Sequence, residues 1–161
     1  MSSLPPEVLS MVEFEPVEDI ALYLLRDTFQ LAPVDIKVQS LIEKGQQFPA
    51  ILIRRTPDWG WPAGDDRFLD SGNLTVHTYT DGLEADADCA RLQEAVRVVL
   101  RDSVNKVVPG LGYLTYVRRL QTPRRVSDWV TATGPVQYAD LPSGISRYES
   151  IYRLAIRAPL T

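Results

Sequence analysis

Apolar positions recur with two different periods along this chain, and each change of period marks a new element. Val17, Ile20, Ala21, Leu24 and Thr28 fall on one helical face, with Pro16 suited to the first helical position and Glu18 and Asp19 to the positive end of the helix dipole. From Asp35 to Glu43, Ile36, Val38, Ser40 and Ile42 alternate with Lys37, Gln39 and Leu41, the signature of an edge-type strand. The run "FPAILIRRT" is apolar on both faces and predicts a buried strand. "PDWGWPAGDD" reads as a loop, and "LTVHTYT" as a strand closed by Asp81-Gly82. From Glu84 to about Asn105 the period is helical again, with Ala85, Cys89, Leu92, Val96, Val99 and Leu100 in a single stripe. "YLTYVRRLQ" and "SRYESIYRLAIR" complete the set of strands, separated by a connection across Ser127–Ser146.

This order, with hairpin-length links among the early strands, predicts an α+β fold: a mixed, mainly antiparallel β-sheet with two α-helices packed on one face. One domain over residues 1–161 is expected, with residues 1–14 as an N-terminal arm and 121–146 as a long connection.

Composition narrows the function classes. Seventeen Lys and Arg against 21 Asp and Glu leave a net charge of −4, so no global positive field draws the chain to nucleic acid. A single cysteine excludes an internal disulfide and zinc-finger spacing. No secretory signal pattern opens the chain and no apolar run approaches a membrane span, so a soluble, non-exported protein without a membrane partner is expected.

Candidate chemistry concentrates in "GNLTVHTYTDGLEADADCARL", which holds the sole histidine, His77, and the sole cysteine, Cys89, with Asp81, Glu84, Asp86 and Asp88 between them. A nucleophile or a metal site needs these groups to converge. The two periods argue that they do not. Cys89 lies in the helix stripe facing the core, while Asp86 and Asp88 point elsewhere and suit the helix start. His77 shares a strand face with Thr75 and Tyr79, opposite the more aliphatic Leu74, Val76 and Thr78, and so turns away from Cys89. The expectation is no catalytic centre, no metal site and no cofactor. Asp65, Asp66 and Asp70 beside Trp59 and Trp61 could bind a cation or a sugar, but also suit a solvated loop.

Protein contact is the better use of what remains. Ala87, Ala90 and Val98 flank Glu94 on the outer face of the long helix and suit a neighbouring subunit. Arg118 and Arg119, with Arg54-Arg55 and Arg124-Arg125, suit ion pairs within or between subunits, and adjacent strand residues point to opposite faces. Trp59 and Trp61, in a loop longer than a tight hairpin needs, suit an interface anchor.

The succession of "FPAILIRRTP", an Asp- and Gly-bearing loop, "LTVHTYTDGLEADADCARLQEAVRVVL" and a late "GISRYESIYRLAIRAP" resembles the tail terminator, or tail completion, proteins of long-tailed bacteriophages. The resemblance covers about Val17 to Pro159 and rests on the order and character of segments. It implies a structural virion protein, not an enzyme, that assembles in the host cytoplasm into a hexameric ring. The ring would cap the major tail tube protein and join it to a head-side connector or stopper, with DNA only passing through its channel. Two other readings are a head-side adaptor or stopper, and a small metal-dependent hydrolase using Asp65, Asp66, Asp70 and His77.

Overall fold

In the computed structural model of the chain, residues 3–56, 67–126 and 144–159 are described. The elements run α1 (Pro6–Leu9), α2 (Val17–Phe29), β1 (Lys37–Gln39), β2 (Ala50–Thr56), β3 (Asp70–Thr80), α3 (Ala85–Asp102), β4 (Val107–Val108), β5 (Gly112–Arg125) and β6 (Ser146–Arg157). The strands form one sheet in the order β1-β2-β3-β6-β5-β4, antiparallel except where β1 runs parallel to β2. The fold is α+β, with α2 and α3 packed against one side of a curled, mostly antiparallel sheet.

The core lies between those helices and the sheet. Ile20, Leu24 and Leu25 from α2 and Val96 and Leu100 from α3 meet Ile51, Ile53, Leu74, Val76, Leu114, Leu154 and Ile156 from the strands. Each such side chain contributes roughly 1.5–3 kcal/mol on burial, so this layer dominates stability. Gly72 brings the start of α2 close to β3: a Cβ there would stand 2.9 Å from Val17 Cγ1. A residue without a side chain is what permits that approach.

Several boundaries differ from the sequence pattern for identifiable reasons. The α2 stripe turns toward Phe29, which is buried, while Thr28 is exposed. The strand expected over Asp35–Glu43 shrinks to Lys37–Gln39, since only that stretch finds a partner. Because β1 is parallel to β2, the intervening residues 40–49 cross over and do not make a hairpin. β5 runs on through Gln121–Arg125, so the connection expected from residue 121 begins later, and Pro123 is accommodated on the outermost long strand. The N-terminal arm carries one short turn of helix, α1, which buries none of its residues. No described helix is long and apolar enough to cross a membrane.

Candidate functional site

Cys89 and His77 are both buried, on opposite sides of β3. On the helix side the Thr78 hydroxyl donates to the Cys89 carbonyl at 3.2 Å, and the Cys89 thiol donates to the Thr78 carbonyl at 3.0 Å. The thiol also approaches Ser146 O at 3.5 Å, which stitches α3 to the start of β6. Burial pushes the Cys89 thiol up, outweighing its hydrogen bonds to Thr78 and Thr80. Cys89 is therefore a neutral packing group with a donor, not an activated thiolate.

One turn further along α3, Gln93 sits fully buried in the stripe otherwise made of apolar residues. Its Nε2 donates to the carbonyls of Val76 at 3.1 Å and Tyr148 at 3.2 Å, and its Oε1 accepts from the Ser150 hydroxyl at 2.6 Å. Both carbonyls belong to neighbouring strands of the sheet, so this one side chain fixes α3 against β3 and β6 together. Sequence reasoning passed over Gln93. Its signal was positional, since it lies four residues after Cys89 on the same helical face.

The helix start is more engaged than the sequence implied. Asp86 stays exposed and out of the core, as expected, but it reaches across to β6. It accepts from Ser146 Oγ at 3.2 Å and Tyr148 Oη at 3.1 Å, and pairs with Arg125 at 3.3 Å. Asp88 stays on the outer side, pairing with Arg91 at 2.7 Å. Asp81 and Glu84 are exposed.

On the side away from the helices, His77 lies beside Tyr79, Leu52 and Glu149, a second buried cluster that Phe48, Ile42 and Ile145 help to cover. Burial foremost, with the charges of Arg147 and Arg54, lowers the His77 pKa to about 4 against a smaller opposing pull from Glu149. The 3.9 Å approach of His77 Nδ1 to Glu149 is then a contact of a neutral imidazole with a carboxylate at neutral pH, although its geometry alone would pass for an ion pair. Burial pushes Glu149 up, but hydrogen bonds and charge from Arg124 outweigh it and hold the carboxyl below its ordinary value. Arg124 Nε donates to Glu149 Oε1 at 2.7 Å.

Strand register extends this face outward. Arg54 pairs in register with Thr75, Arg147 with Tyr79, Arg118 with Arg153, and Arg124 with Glu149. Arg118 and Arg119 lie on opposite faces as expected, Arg119 opposite Tyr152, and both are exposed. The whole of β5 and β6 carries seven arginines against Glu149. The opposite bias occupies the N-terminal segment, where residues 3–29 hold Glu7, Glu13, Glu15, Glu18, Asp19 and Asp27 against the one basic residue Arg26; of these, Glu18 pairs with Arg55 at 3.8 Å and Asp27 with Lys106 at 3.2 Å. The net charge of −4 thus hides a strong internal separation.

Of the expected interface residues on α3, Ala87 is exposed, whereas Ala90 and Val98 are half-buried. Trp59, Trp61, Asp65 and Asp66 lie outside the described residues, as does most of the 127–146 connection; Asp70 begins β3 and its carboxylate accepts from the Ser71 amide at 2.9 Å. Among the described residues no group of three or more His, Cys, Asp or Glu side chains is placed to hold a metal ion. No family model and no curated protein matches the chain.

Proposed function

We propose that this chain is a structural subunit of a phage tail, acting as a tail terminator that caps the tail tube as a ring, hexameric in the resembled family, and joins it to the head-side connector or stopper. The observation that carries the reading beyond the order of segments is the charge separation between the N-terminal segment and the β5–β6 pair. Two copies related by a twofold axis through β5 would oppose arginine to arginine. A head-to-tail arrangement opposes the arginines to the acidic segment of the next copy, and such a contact closes into a ring when its rotation permits. The groups with catalytic potential support the same reading, because Cys89 and His77 are neutral and lie on opposite sides of β3.

Electron microscopy of the purified chain, alone and mixed with purified tail tubes, tests this. Rings that seat on one end of the tubes are expected. Binding to filled heads and not to tubes would favour the head-side adaptor reading, and a chain that binds neither would refute both.

A further inference from the structure

Leu83 stands in the turn that joins β3 to α3, and it is fully exposed. The turn itself is well tied. The Ala85 amide donates to the Gly82 carbonyl at 3.3 Å, and Glu84, just ahead of α3, pairs with Arg91 at 3.4 Å. A hydrophobic residue one position before a helix cap ordinarily packs on the fourth residue of that helix. Here the fourth residue is Asp88, which pairs with Arg91 at 2.7 Å, so Leu83 finds no apolar side chain there. A fixed turn thus presents a leucine that its own subunit does not cover.

A recess of fitting character lies at the other end of α3. The groove, about 410 Å³ on the outer side of α2, has Leu22, Tyr23, Leu31 and Leu111 as its apolar lining, and of these Tyr23 and Leu31 are exposed. Lys106, just past the end of α3, pairs at 3.2 Å with Asp27, which also lines the groove. At about 1.5 Å per residue, the 18 residues of α3 set the turn and the groove about 27 Å apart, so Leu83 cannot reach the groove of its own subunit.

Charges of both signs stand on each side. Arg26 and Lys106 lie at the groove beside Asp19 and Asp27, while Asp81 and Glu84 flank Leu83. Arg125 lies at the same end of α3 as the turn, 3.3 Å from Asp86. Setting the turn of one copy on the groove of the next therefore gives the acids of the turn two basic partners and brings the end of β5 to the acidic α2.

We infer that Leu83 of one copy inserts into the α2 groove of a neighbouring copy, against Tyr23, Leu31 and Leu111. This rests on the ring reading above and names its contact. The two surfaces differ, so the contact is head to tail and repeats from copy to copy until a ring closes.

Sedimentation velocity of the full chain over a concentration series tests it, with circular dichroism to verify the fold. Leu83→Asp and Tyr23→Asp/Leu31→Asp should each weaken self-association at least about 10-fold. Leu83→Asp should leave the spectrum of the folded subunit unchanged, since nothing packs on that side chain within the subunit. The decisive sample is a mixture of the two variants. One keeps its groove and the other its leucine, so together they should form dimers that neither forms alone, and nothing larger. Folded variants that stay monomeric when mixed overturn the inference. An oligomer indifferent to Leu83→Asp also overturns it and leaves the ring reading standing. So does a groove variant that self-associates normally but no longer caps tail tubes, which would give the groove to the tube. A wild-type chain that stays monomeric alone and with tail tubes overturns both.

Discussion

The Ser150 hydroxyl lies 2.6 Å from Gln93 Oε1, and the same amide spans the carbonyls of two adjacent strands. A buried amide with its donor and acceptor capacity used in this way resists replacement by an apolar group. Gln93→Leu should lower stability by about 2–4 kcal/mol, because Ser150 and two strand carbonyls lose their partner. Ser150→Ala alone should cost less, and the double variant should fall short of the sum. Urea denaturation of the four proteins measures the coupling; strict additivity would show that the network carries no joint energy.

Cys89 has the burial of a core residue and the pKa direction of an inert thiol. A thiol reagent such as a disulfide dye should leave the native protein unmodified and react once denaturant unfolds it, because only the thiolate attacks. Fast native labelling would contradict the packing described. Cys89→Ala should cost about 1–3 kcal/mol, through lost contacts and the lost donor to Thr78 O. Cys89→Ser should cost less, since a hydroxyl can still donate to that carbonyl.

His77 should make the fold acid-sensitive. Its pKa falls from an ordinary 6.5 to about 4 on folding, so between those values the unfolded chain holds a proton that the folded chain does not. Stability therefore rises with pH across that window and is lost as pH falls through it, by about 3 kcal/mol at most. Glu149, held below its ordinary value, acts in the same direction at the acid end. Thermal melts from pH 7 to pH 4 should show the loss, and His77→Gln should flatten the upper part of the curve while leaving the Glu149 part. An unchanged slope in His77→Gln would assign the acid sensitivity elsewhere.

Gly112 opens β5 with φ +101°, and a Cβ there would clash with the backbone oxygen of Arg157. Gly110, two residues earlier, also has a positive φ, of +77°, but has open space around it. Gly112→Ala should thus cost more than about 3 kcal/mol, through a backbone clash added to conformational strain, while Gly110→Ala should cost only about 1 kcal/mol. Equal losses would mean that β5 shifts easily away from the end of β6.

The amino-acid sequence by itself determined the two long helices, the identity of the buried strands and the separation of Cys89 from His77. Those features depend on local period, and a helical stripe or a strand alternation is written in residues a few positions apart. Gln93 within the helical stripe is written there too, by its position four residues after Cys89 and not by its polarity. The tertiary structure alone decided what depends on partners distant in sequence. The shortening of β1, its parallel pairing with β2, the extension of β5 through Pro123 and the turning of Asp86 toward β6 all follow from which strand lies alongside. The same holds for His77: alternation assigned its face, but only the crowding of Leu52, Tyr79, Arg147 and Glu149 around it made that face a buried one in which the imidazole stays neutral. Charge followed a third course, because the acidic N-terminal segment and the arginines of β5 and β6 can be counted in the sequence. Their placement came from the sheet order, which sets the arginines of β5 beside those of β6.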